Sequence, residues 1–231
     1  MRLEPWSLYA KLSIVCVFSL SLLGCERKAI PPRNESPAVQ QEQDPSRFLS
    51  QGERVFFDDF ERTSLGESWT TKHPGWRIVE GALYDESAKN AGVWLKQPLP
   101  KNVRVSFKIR SGSMPTGKTF AGDVKCEAFA TKPEHQAGYV FINGGWSNQL
   151  DVIARLDEHG TDRREQPAAA VEPDRWVQWD IVRAEGDIYW FRAGALLMTY
   201  PDAMPVDGHY FGFNNWESRA SFDDLAVFQL P

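Results

Sequence analysis

Cysteine is scarce in this chain, and where it falls matters. Of three cysteines, Cys16 and Cys25 lie in the N-terminal segment and only Cys126 lies beyond it. With that segment set aside no intrachain disulfide can form, so a fold must rest on its apolar core; Cys126, in DVKCEAFA, reads as a small buried hydrophobe. Clustered positive charge is also missing: 26 Lys and Arg face 31 Asp and Glu. A nucleic-acid partner, whose phosphates call for a basic stripe, is not expected. His73, His135, His159 and His209 form no H-x-H, H-E-x-x-H or paired-cysteine pattern, so zinc is not expected either, and isolated histidines read as loop or surface residues. Phosphate loops, dinucleotide fingerprints and G-x-S-x-G elbows are absent from the sequence.

The N-terminus is what the chain does have. Arg2 and Lys11 precede an apolar run from Leu12 to Leu23, too short for a bilayer that needs about 20 apolar residues but suited to a secretory signal. Leu22-Leu23-Gly24-Cys25 resembles the lipobox of bacterial lipoproteins, in which the cysteine is acylated and becomes the first mature residue. The resemblance implies a signal peptide over residues 1–24, lipidation of Cys25, and a domain held in the cell envelope. Acyl chains contribute about 0.8 kcal/mol per buried methylene, so several chains on one cysteine would hold the protein stably at a membrane, and this lipid anchor is the one membrane attachment expected. Glu26 after the cysteine, rather than Asp, fits an outer-membrane destination by resemblance to sorting in two-membrane bacteria. Residues 25–51 are polar and carry Pro31, Pro32, Pro37 and Pro45, the composition of a tether with a reach of about 25–30 Å.

Residues 52–231 remain, enough for one domain with a substantial core. Their periodicity is that of strands. Val103, Val105, Phe107 and Ile109 alternate with Arg104, Ser106, Lys108 and Arg110, and Val177, Trp179 and Ile181 alternate with Gln178, Asp180 and Val182. Turn signals such as Glu80-Gly81, Glu185-Gly186-Asp187 and Asp207-Gly208 separate the runs, and no helix of ordinary length is expected. The prediction is an all-β, two-sheet antiparallel sandwich, with a closed barrel as the alternative.

VFFDDFERTSLGESW at the start, WRIVEGALY from Trp76 to Tyr84, and the closing ASFDDLAVF resemble the concanavalin A-like lectin and glucanase superfamily. That resemblance implies a jelly roll with its first and last strands side by side. In the laminarinases and lichenases of this superfamily one strand carries E-x-D-x-E or E-x-D-x-x-E, because alternate residues share a face and two glutamates can flank a sugar. SNQLDVIARLDEHG puts Gln149, Asp151 and then Ile153 or Ala154 at those positions. An amide is no anionic nucleophile and an apolar side chain donates no proton, so this mechanism is rejected for this strand.

The same strand offers another use. Leu150, Val152, Ala154 and Leu156 read as its core face, leaving Gln149, Asp151, Arg155 and Asp157 toward solvent to hydrogen-bond a sugar. Trp146 with Asn148, and Asn215 with Trp216, supply indoles and amides of the kind that hold sugar rings. The expectation is a carbohydrate- or extracellular-polymer-binding domain at Trp146, Asn148, Gln149, Asp151, Arg155, Asp157, Asn215 and Trp216. One alternative is an enzyme resembling sugar hydrolases of the keto-disaccharide type, with acid and base among Asp151, Asp157, Glu158 and His159; another is an envelope scaffold. No cofactor is required, but the superfamily resemblance places a structural calcium at Asp224 with the Gly81 carbonyl.

Overall fold

A computed structural model describes residues 44–112 and 121–231. The signal segment, Cys25 and most of the proposed tether lie outside them. Among the described residues the strands are β1 (Glu53–Asp58), β2 (Trp69–Thr71), β3 (Arg77–Val79), β4 (Ala82–Asp85), β5 (Val93–Leu95), β6 (Val103–Gly112), β7 (Val124–Ala130) and β8 (Tyr139–Gly144). They continue with β9 (Leu150–Arg155), β10 (Arg164–Pro167), β11 (Val177–Ala184), β12 (Asp187–Arg192), β13 (Ala195–Pro201), β14 (Tyr210–Asn215) and β15 (Arg219–Gln229). One sheet has eight strands in the order β13-β12-β11-β6-β15-β4-β3, with β1 also on β15; the other has seven, β10-β9-β8-β7-β14-β5-β2. Every pairing is antiparallel, as the alternation and short turns require. The expected sandwich is what forms, and first strand β1 pairs with last strand β15.

The core lies between the sheets and is dominated by aromatic rings. Phe213 stacks on Phe222 at 4.2 Å, and Trp179 meets Trp190 edge-on at 4.7 Å. Burying each such side chain contributes about 1.5–3 kcal/mol, which a domain whose described residues hold one free cysteine needs. Cys126 is fully buried among them, where burial holds its thiol well above the usual range. Trp76 and Trp190 are core residues as expected, but Trp176 is only partly buried, with the Arg110 guanidinium 4.7 Å above its ring.

The boundary of the tether needs correction. Pro45–Ser50 forms a 3-10 turn capped by the Asp44 carboxylate. Phe48 is buried with Val182, Phe191 and Leu230 on the outer face of the eight-stranded sheet. A single aromatic, in a segment otherwise too polar to fold, thus extends the domain back to residue 44.

Candidate functional site

Register across the seven-stranded sheet decides which side chains reach its outer face. Ala154 lies opposite Val140, Val140 opposite Glu127, Glu127 opposite Gly212, and Gly212 opposite Trp94. A second row joins Val152, Ile142, Lys125 and Asn214. The row between them, Ile153, Phe141, Cys126, Phe213 and Val93, faces the core. Residues two apart on a strand share a face, so Lys125 and Glu127 must project away from the core together.

These two charged groups are buried nonetheless, because loops cover them. Lys125 Nζ donates to Glu158 Oε2 at 2.8 Å and to Asn90 Oδ1 at 2.9 Å, and Asp123 lies 3.5 Å away. Glu127 accepts from Asn214 Nδ2 at 2.6 Å and the Gln136 backbone at 2.9 Å, and His135 Nδ1 sits 2.9 Å from it. His135 Nε2 in turn is 3.9 Å from Glu158, while Asn90 Nδ2 donates to Glu158 Oε1 at 3.2 Å. Burial pushes the Glu158 carboxyl up, but the Lys125 ammonium, with His135 and Asn90, outweighs it and leaves the group below the ordinary glutamate value. An ionised carboxylate is thereby fixed on the outer face of the sheet.

Beside this cluster lies a cavity of ≈ 210 Å³ with Trp146 and Trp216 in its wall and Lys125, Glu158 and His159 among its polar groups. Trp146 is aimed there by a left-handed turn: Gly144, Trp146, Ser147 and Asn148 all have φ between 50° and 66°. Such a conformation costs roughly 1–2 kcal/mol per non-glycine residue, and persists where surroundings over-determine it. Here Asn148 Oδ1 accepts from the Val171 backbone at 3.0 Å, the Arg163 guanidinium lies 4.6 Å over the Trp146 ring, and His159 meets its edge at 5.7 Å. Glycine is needed at Gly144, where a Cβ would fall 2.3 Å from the Asn148 amide.

The structure therefore joins Trp146 to Trp216 and sends other expected groups elsewhere. The two faces of β9 are the reverse of the expectation: Leu150, Val152 and Ala154 point outward under Trp146 and the following loop, while Asp151, Ile153 and Arg155 point toward the other sheet. Asp151 is fully buried, bonded to Asn143 at 2.5 Å and the Gly144 backbone, with Arg192 of the opposite sheet 3.4 Å away. Burial raises its carboxyl, and those partners reverse only part of the rise. Arg155 donates to the Met204 carbonyl at 2.9 Å and faces Asp202. Asp157 accepts from the His159 backbone within its own turn, Gln149 is exposed, and Asn148 serves the Trp146 turn. Asn215 is buried, holding Ser218 through its backbone. The alternation misled because both faces of β9 are covered, so apolar residues occupy both.

Sequence reasoning missed Lys125, Glu127, His135 and Asn90. A signal for two of them was present: Asp123, Lys125 and Glu127 alternate with Val124, Cys126 and Ala128, charge recurring every second residue in an otherwise apolar strand. His135 and Asn90 come from loops and carry no such signal. Asp224, the expected calcium ligand, has its carboxylate 2.6 Å from Lys108 Nζ. Gly81 sits in the β3–β4 turn, where a Cβ would meet the Glu61 carboxylate at 2.7 Å. Among the described residues no three His, Cys, Asp or Glu side chains gather as a metal site.

Neither a protein-family model nor any curated protein sequence matches this chain. Solved structures do resemble it. Laminarinase from Flavobacterium sp. UMI-01 superimposes with a TM-score of 0.58 at 12% identity, over 77% of this chain and 100% of the laminarinase chain. Carbohydrate-binding module CBM66 from Bacillus subtilis gives 0.57 at 12% identity, over 72% of this chain and 98% of its own. The exoplasmic/lumenal domain of VIP36 in its Ca2+-bound form gives 0.57 at 9% identity, over 75% and 89%. At such identities the likeness is one of fold, and the fold is the concanavalin A-like jelly roll.

Proposed function

We propose that this domain binds carbohydrate in the cavity between Trp146 and Trp216, and that acylation of Cys25 holds it in the cell envelope. The observation that carries the reading is the pairing of two indoles with a fixed, charge-paired floor of Lys125 and Glu158 around ≈ 210 Å³. Indole faces suit the C–H faces of a sugar ring, and preorganised donors and acceptors suit its hydroxyls. The CBM66 and laminarinase folds support a saccharide ligand in kind. The chain enters the domain through Phe48, on the outer face of the opposite sheet.

A glycan array on the full chain in detergent micelles tests the reading. Trp146→Ala and Trp216→Ala should each weaken the best binder about tenfold, near 1.4 kcal/mol, and the exposed Trp216 should do so with little change in melting temperature. If the parent protein retains no glycan, the domain is a scaffold instead. Binding without turnover is the reading, because β9 offers no carboxylate pair. The place of Glu158 and His159 in the same cavity favours an acid–base role as the second reading, identified by sugar release that stops in Glu158→Gln.

A structural calcium at Asp224 belongs to the same proposal. The Ca2+-bound state of the VIP36 domain supports it, as does acidity at that end of the sandwich. Burial raises the Asp223 carboxyl, and the hydrogen bond from the Asp224 backbone offsets only part of that rise. The residues that would hold the ion are Asp224, whose carboxylate now pairs with Lys108, and Gly81 through its carbonyl.

A further inference from the structure

A second cavity, ≈ 220 Å³, lies on the other side of the charged cluster, with Thr70, His73, Asn90, Trp94 and His135 in its wall. Asn90 divides it from the first: the same amide that lines this cavity bonds Lys125 and Glu158, which line the other. Asn90, with His135 3.9 Å from Glu158, thus forms a ridge that borders both volumes. The second cavity is floored by Trp94, whose indole lies flat over Gly212; a Cβ there would come within 2.8 Å of the ring. It ends at β2, the edge strand of its sheet, where an extended ligand can leave without meeting another strand.

The first cavity sets the charge preference. Its Lys125 is buried and shared by Glu158 at 2.8 Å and Asp123 at 3.5 Å, so two carboxylates face one ammonium. An anionic sugar there would meet an excess of negative charge, and could take Lys125 only by breaking a buried pair and leaving a carboxylate uncompensated. Uncharged hydroxyls can add to these groups without breaking them.

We propose that the two cavities are adjoining subsites for a linear, uncharged glycan of at least two sugar residues, with the linkage crossing the Asn90 ridge. This rests on the carbohydrate reading above and adds length and charge selection to it. Calorimetry on the full chain in detergent, with neutral gluco-, manno- and galacto-oligosaccharides of one to five residues, measures the first. Affinity should rise at least about tenfold between one residue and three. Thr70→Trp fills the second cavity from an exposed strand position that tolerates an aromatic. It should remove that rise while leaving the single-residue affinity unchanged. Oligogalacturonates of the same lengths should bind at least about tenfold more weakly than the neutral series. Equal affinity for one and three residues, or a length dependence untouched by Thr70→Trp, overturns the two-subsite assignment. Tight oligogalacturonate binding overturns the charge selection. Absence of binding by every sugar defeats the carbohydrate reading itself, a different result from binding without length dependence.

Discussion

Replacing Lys125 by Met puts the charged cluster to its hardest test. The ammonium is 3% exposed and its partner Glu158 is 9% exposed, 2.8 Å away. Removing one member of a buried pair costs about 3–5 kcal/mol, because the other charge is left in a poor solvent. Asn90, His135 and His159 remain within 3.2, 3.9 and 3.7 Å of Glu158 and take up part of that charge, so the lower end applies. For a domain of this size 1 kcal/mol moves the melting temperature by roughly 2–4 °C, giving a fall of about 6–12 °C at neutral pH. Lys125→Met with Glu158→Leu removes both charges and should recover most of the loss. Acid should also narrow the gap between variant and parent. In the parent, Glu158 titrates below its ordinary value of 4.5, so its contribution is complete above that pH and lost as pH falls through the depressed value. In the variant, burial acts without the ammonium, so the carboxyl protonates at higher pH and the penalty fades as pH falls toward the ordinary glutamate value. Calorimetric scans across this range decide the matter. A loss under about 1 kcal/mol, or a double variant no better than the single, refutes the view that this pair organises the outer face.

Three other expectations are simpler to check. Asp151→Asn should lower stability in urea titration by about 1–3 kcal/mol, through its bonds to Asn143, Gly144 and Arg192, while leaving glycan affinity alone; lost affinity at full stability would return Asp151 to the binding face. Phe48→Ala should cost about 3 kcal/mol by the same measurement, whereas a change under about 0.5 kcal/mol would mean that the 3-10 turn is not part of the domain. Millimolar calcium should raise the melting temperature of the parent and not of Asp224→Asn, and equal curves with calcium and with chelator would remove the metal from the proposal.

Strand content was legible because alternation needs only local residues: Val103 to Ile109 announces a strand whatever lies beside it. The pairing of first and last strands was legible only through the superfamily resemblance of FFDDF and SFDDL, since nothing local links residues that far apart. The site was half legible. Trp146 and Trp216 stand out as indoles beside amides, but the partner elements that bring them to one cavity are set by register. On β9 local reasoning failed outright, because a strand covered on both faces has apolar side chains on both, and its pattern no longer says which way is in.

Sequence alone determined that this chain is rich in short strands, carries no cluster of Lys and Arg, and has Gln149 and Ile153 or Ala154 where a laminarinase strand carries its glutamates, since those conclusions follow from residue types and spacing of two. Tertiary structure decided the rest. Asp151 is interior because Arg192 arrives from the opposite sheet to meet it. Lys125 and Glu158 form a buried pair because a loop 33 residues further on folds back over the strand. A charge survives burial only where its partner is delivered, and delivery is a property of the fold.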